Sequence, residues 1–347
     1  MTDYELLSNQ NNLSTFRKKV WIVVSIAALM FVFLFLFKIL FSVLLLVLAG
    51  ALIALYFYGV AGILQRKLNT PPKAAIVLSV VINIVLLAGI IWFVGARIQA
   101  QISELSQTLP ATLQTVKDFI ASSAIGRNML KEFNSTGDST KTLDILNRFF
   151  SSSFGVLSDL YIILLLAIFF ISAPSVYIKG MVKLLPNKAK EKGTLIISRI
   201  TTILKGWLKL QLIGMLFIGI ATAIGLTIIG IPMVLTLALI AAIFNFIPNF
   251  GMLLALIPAV LIGLTHGMGT ALIIICVYTF IQFLQNAIQQ PLIQTKMINI
   301  APALSITSQI ALGLLVGFWG ILLATPVLII LIVLVEELYL NKQKILS

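Results

Sequence analysis

The sequence predicts an all-α polytopic membrane protein of about eight transmembrane segments, two of them broken or re-entrant, with a small extracytoplasmic helical insert. Three observations carry that prediction. The chain is 60% hydrophobic and only 10% charged, with a mean hydropathy of +1.11, whereas a soluble domain is about 25% charged. Apolar runs of membrane-spanning length alternate with short basic segments. Two of those runs, finally, carry Pro and Gly in their middle, where a lipid-facing helix tolerates neither easily.

Residues 1–19 form a polar tail ending in Arg17, Lys18 and Lys19. The apolar run behind them continues into a second one, which reads as a retained anchor rather than a cleaved signal. Spans one to three occupy residues 20–96: Val20 to Phe37, a tight turn at Lys38, Ile39 to Leu64, and Ala74 to Ala96 after the breaker Asn69-Thr70-Pro71-Pro72. Residues 97–155 are the long polar region. There Ile98, Ile102, Leu105, Leu109, Leu113, Val116 and Ile120 recur at helical spacing. This reads as a helical cap or oligomer contact, with a gate as the alternative. A fourth span, 156–178, leads into a basic link, 179–205. Residues 206–336 form a transport core, and 337–347 a short tail. The basic segments Arg17–Lys19, Arg66–Lys73 and 179–205 fall on one side if each apolar run crosses. The positive-inside rule makes that side cytoplasmic, together with both termini. The net charge of +13 is thus a topology signal rather than a nucleic-acid footprint.

The core starts with an ordinary span, Gly206 to Ile229. Pro232 to Leu264 is then too long for one crossing, and its halves are too short for two. Its middle reads Asn245, Pro248, Asn249, Gly251, followed by Pro258. A re-entrant hairpin with its tip near residues 247–251 fits the lengths; a tilted, broken crossing is the alternative. Gly269 to Gln290 is an ordinary span. Pro302 to Val335 is again too long, with Gly317, Gly320 and Pro326 inside it. Gly251-Met-Leu-Leu-Ala-Leu-Ile-Pro258 matches Gly320-Ile-Leu-Leu-Ala-Thr-Pro326 with one deletion, an internal repeat. Paired broken helices meeting near the midplane are the architecture of many secondary transporters.

Gln282, Gln285, Asn286, Gln289 and Gln290 place five amides on one helical face. In lipid such a face pairs with protein or with water, so it serves interhelix bonding or lines a path. Asn245 and Asn249 flank Pro248 and either replace lost backbone bonds or bind a hydroxylated solute or ion. Asp159 sits at the mouth of the fourth span, and no Asp or Glu occupies the middle of any predicted span. His266 reads as a loop residue, and Cys276 as a small core residue with no disulfide partner in the chain. The sequence carries no Walker, HExxH or GxSxG motif and no Cys/His cluster. It therefore predicts neither an enzyme nor a metal site nor a cofactor.

At these residues the chain resembles the autoinducer-2 exporter (AI-2E) family of bacterial membrane proteins. The resemblance is carried by Gly230-Ile-Pro232, Phe246-Ile-Pro-Asn-Phe-Gly251 with Ile257-Pro258, the Gln-Phe-Leu-Gln-Asn segment ending at Pro291, Pro302, Gly317-Phe-Trp-Gly320 and Ala324-Thr-Pro326. Gln211 is similar to the Gln that follows the family's basic link. The resemblance spans residues 15–340 and is specific over 205–330. It implies roughly eight spans, homo-oligomers in the cytoplasmic membrane, and export of small solutes, autoinducer-2 among them; some relatives exchange sodium for protons. Two departures stand out. Met252 stands where the family often has Pro, and Gln285 where it often has an acidic residue. The expected function is a secondary transporter or facilitator exporting a small polar solute, with membrane lipids and a second copy as partners. A sodium(lithium)–proton antiporter and a partner-binding membrane protein are the alternatives.

Overall fold

A computed structural model describes residues 3–90, 92, 155, 158–248, 250–296 and 300–340; side chains within 3–19, 289–296 and at 340 are outside that description. The 97–154 part of the predicted insert, the last residues of the tail, and Asn249 therefore lie outside the described residues. All regular elements of the described chain are helical. They are α1 (Asp3–Leu68), α2 (Pro72–Ile90), α3 (Ser158–Ser172), α4 (Pro174–Lys183), a 3-10 turn over Asn187–Ala189, α5 (Lys190–Ile229), α6 (Val234–Phe244), α7 (Gly251–Thr265), α8 (Met268–Lys296), α9 (Pro302–Val316) and α10 (Phe318–Val335), which continues as a π turn over Glu336–Leu340.

Among the described residues, five helical stretches are long and apolar enough to cross a membrane: Val20–Leu68, Pro72–Ile90, Asn187–Ile229, Met268–Ile288 and Phe318–Tyr339. Counting the bent pair α3–α4 as one makes six. Two differences from the expected spans account for much of the gap to eight. No turn interrupts α1 at Lys38. Neither Gly nor Pro stands near that residue, and the Ser42 hydroxyl donates to the Lys38 carbonyl one turn back (3.0 Å). The apolar part of α1 thus rises about 74 Å, more than twice a bilayer core, and from Val20 to Leu40 its side chains are exposed on every face. The fourth span, expected to run to 178, bends by 90° after Ser172. Pro174 opens α4 and excludes the preceding residue from helical geometry, leaving Ala173 at φ −145°, ψ 61°. α4 is amphipathic and has no buried residue, as suits a helix lying along an interface. The basic link is itself partly helical: its second half is the start of the 40-residue α5.

Contacts fix the relative directions of these helices. The Tyr56 hydroxyl donates to Asn83, and the Ser79 hydroxyl to the Phe57 carbonyl (3.1 Å), so α2 runs antiparallel to α1. Gly50 lies against Ile163, Leu166 and Ala167, while the Tyr58 hydroxyl reaches the Ile171 carbonyl (2.7 Å), so α3 runs parallel to α1. The end of α2 and the start of α3 therefore share one face. The basic segments Arg66–Lys73 and 179–192 share the other. Arg199 on α5 pairs with Glu336 (2.5 Å) and Glu337 beyond α10, which brings the end of α10 to the basic face as well. The two carboxylates stand on the π turn that follows α10.

α5 is the common spine of two cores. Its first half packs Leu204, Trp207 and Leu208 with Leu45 and Leu52 of α1, Ile163 of α3, and Leu323, Ile329 and Val333 of α10. Its second half packs Ile218 and Leu226 with Leu237, Ala255, Ile262, Ile274 and Tyr278 of α6, α7 and α8.

Candidate functional site

Both Pro/Gly-rich runs fold back on themselves. α6 ends at Phe244, capped by Asn245, and α7 starts at Gly251 after a short turn. A Cβ built on Gly251 would stand 2.0 Å from the Phe244 carbonyl oxygen. In one continuous helix those residues would be about 10 Å apart along the axis. α9 and α10 meet at the single residue Gly317, whose φ of 73° and ψ of −140° suit glycine alone. A Cβ on Gly320 would stand 2.0 Å from the Leu312 carbonyl oxygen. The matched glycines of the repeat thus do the same work, letting the backbone of the second arm touch the backbone of the first. The two hairpins differ in length. α6 and α7 have 11 and 15 residues, too short to cross. α9 has 15, but α10 with its π turn is long enough to span.

The turn at 245–250 sits beside Gln211, about 18 Å along α5 from Arg199 and about 27 Å short of the helix's far end. The first hairpin therefore enters from the face opposite the basic segments and stops inside the molecule. Broken backbone at that depth must find partners within the protein, and two buried glutamines supply them. Gln211 Nε2 donates to the Asn245 carbonyl (2.5 Å), and Gln309 Nε2 donates to the Pro248 carbonyl (3.0 Å). Gln309 lies in the middle of α9 and is 0% exposed, so the second hairpin grips the tip of the first. Trp207 meets Phe246 edge to face at 6.0 Å, closing the same tip from α5.

Two polar groups at this level have no hydrogen-bond partner among the described residues: Asn245 Nδ2 and Thr325 Oγ1, on residues 4% and 8% exposed. Thr325 lies on α10, level with Gln309, because α9 and α10 pair antiparallel from Leu312 opposite Gly320. Gln211, Asn245, the Pro248 carbonyl and Gln309 thus form a buried polar cluster inside an apolar protein, with Thr325 near the level of Gln309 on α10. Pro258 and Pro326 lie within α7 and α10, and each removes one helical donor from the arm behind its glycine.

The amide face of α8 is graded. Gln285 is buried, Gln282 is half-buried, and Asn286 is exposed and accepts from Gln282 Nε2 (3.2 Å). The side chain of Gln289 lies outside the described residues. Of the residues singled out from sequence, Asn245, Pro248, Gly251, Gly317 and Gly320 shape the two turns. Gln309 and Thr325 are not among the candidate site residues drawn from the sequence, although each is a polar residue inside an apolar run, the same signal that marks α8.

Comparison with known proteins places this geometry in context. The family model described as "AI-2E family transporter" matches residues 24–340. The candidate transport protein YueF of Bacillus subtilis (strain 168) is 27% identical over 317 residues, covering 87% of this chain and 84% of that protein. A candidate transport protein of Borreliella burgdorferi is 26% identical over 225 residues, covering 64% of this chain and 61% of its own. YrrI of Bacillus subtilis, likewise a candidate transport protein, is 28% identical over 143 residues, 41% of this chain and 40% of its own.

Proposed function

This chain belongs to the AI-2E family of transporters, and on that premise we propose that it exports a small, uncharged, hydroxylated solute, autoinducer-2-like in its chemistry, across the bacterial cytoplasmic membrane. It works as a secondary transporter or facilitator, and the polar cluster at the tip of the first hairpin, read as the wall of a solute chamber, is its solute site. The observation that carries this reading is the pair of buried groups, Asn245 Nδ2 and Thr325 Oγ1, that have no hydrogen-bond partner among the described residues. Leaving a donor unpaired in an apolar interior costs about 1–3 kcal/mol, a cost that a hydroxyl or carbonyl of a passing solute removes. The cluster offers amides, a hydroxyl and carbonyls, both donors and acceptors, which suit the hydroxyls and carbonyls of a small neutral solute. In this reading the face bearing Arg66–Lys73 and Arg199 is cytoplasmic. The first hairpin then enters from outside, and the second rises from inside to meet it.

Purified protein in liposomes tests the reading, with efflux of autoinducer-2 and simple polyols followed beside sodium and proton flux. Asn245→Leu and the near-isosteric Thr325→Val should each slow solute efflux at least about tenfold, one hydrogen bond's worth. Wild-type efflux in both variants would remove the chamber from the path. Sodium–proton exchange without solute efflux would replace export by antiport.

A further inference from the structure

We propose that Asp159 is a positioning residue for the transport path, a latch that holds the α9–α10 turn closed through the indole of Trp319. The inference rests on the reading of that hairpin as part of the path, and it concerns a residue outside the chamber.

Trp319 Nε1 donates to Asp159 Oδ2 at 2.7 Å, joining the first turn of α3 to the first turn of α10 across 160 residues of sequence. The indole N–H is a donor only and has a single hydrogen to give; a carboxylate is its strongest ordinary acceptor. Both ion pairs among the described residues belong to Arg199, so the partner that the structure assigns to this carboxylate is the indole. Around the turn, little else resists movement. Leu314, Leu315 and Phe318 are 84%, 54% and 48% exposed, and the close contacts of Gly313 and Gly320 lie within the hairpin itself. What ties the turn to the rest of the molecule is Trp319 on Asp159, together with the packing of Val316 and Trp319 on the first core. The turn pivots on Gly317, whose positive φ marks a position free to take up other backbone angles. Gln309, which grips the first hairpin, lies two turns below on the same arm. Release of the latch thus frees the arm that closes the chamber.

Hydrogen exchange measured by mass spectrometry on the full-length protein in detergent tests the latch without any solute. Asp159→Ala and Trp319→Phe should each speed exchange of the amides over 313–321 about tenfold, as loss of one charge-assisted hydrogen bond predicts. The double variant should exchange no faster than either single one. Asp159→Asn keeps an acceptor oxygen without the charge and should recover part of the wild-type protection, exchanging more slowly than Asp159→Ala. Exchange over α8 should stay unchanged in all four, which shows that the fold is intact. Unchanged rates in Asp159→Ala and Trp319→Phe would overturn the latch, and so would additive effects in the double variant. An Asp159→Asn rate equal to that of Asp159→Ala would overturn it too, by making charge rather than hydrogen bonding the operative property. Because exchange needs no cargo, a failed latch leaves the transport reading standing, and a failed flux assay leaves the latch standing.

Discussion

Gly251 and Gly320 are the residues at which a single methyl group has the largest expected effect. Each is buried, and the added carbon would fall within 2.0 Å of a backbone carbonyl, which has no rotamer with which to retreat. Gly251→Ala and Gly320→Ala should therefore destabilise by roughly 3 kcal/mol or more, read as lost monodisperse protein or a large fall in Tm in detergent. Gly89, in the exposed run of α2, has nothing within 4 Å of such a carbon. Gly89→Ala should leave Tm unchanged or raise it, within about 1 kcal/mol. The tip glutamines are the next test. Gln309→Leu fills the same space but leaves the Pro248 carbonyl without its side-chain donor, and a loss of about 1–3 kcal/mol follows. Comparable losses for Gly89→Ala and Gly251→Ala would contradict the close-approach argument.

At the scale of elements, the two breaks are legible in the sequence because Pro248, Gly251, Gly317 and Gly320 act locally, each on its own backbone. The bend after Ser172 has the same kind of cause, Pro174, yet the sequence there reads as a continuous span because hydropathy does not change. Lys38 shows the opposite error. A lone charge in an apolar run suggests a turn, but a charge alone does not break helical hydrogen bonding, and α1 continues through it. The contact of Gln309 with Pro248 spans 61 residues, and no local pattern encodes which carbonyl a buried amide will find. The folded-back geometry of the first hairpin has a direct consequence for sidedness. One crossing, α8, follows it, so a cysteine in place of Lys296 should react with membrane-impermeant maleimide from the cytoplasmic side in a Cys276→Ser background. Reaction from outside would mean that the first run crosses instead of returning.

For the whole molecule, the two cores on α5 set what can move. The core of α1, α3 and α10 is closed at one end by Asp159 with Trp319 and at the other by Arg199 with Glu336 and Glu337. The Arg199 cluster is partly open to solvent, at 39% exposure for the arginine, so Arg199→Ala should lower stability by only about 1 kcal/mol or less, and less still at high salt. Arg199→Lys should not restore it, because an ammonium lacks the fork that meets two carboxylates. A loss of several kcal/mol would show that the cluster is a structural core rather than a clasp at the edge. If solute passes through the tip of the first hairpin, a thiol placed there should be able to block it. Solute efflux from liposomes by the Asn245→Cys, Cys276→Ser protein, measured before and after a small thiol reagent, tests this most directly. Residual efflux, slowed about as far as in Asn245→Leu, that stops once the reagent modifies the introduced thiol during turnover is the expected result. Full modification of that thiol with efflux undiminished would contradict it.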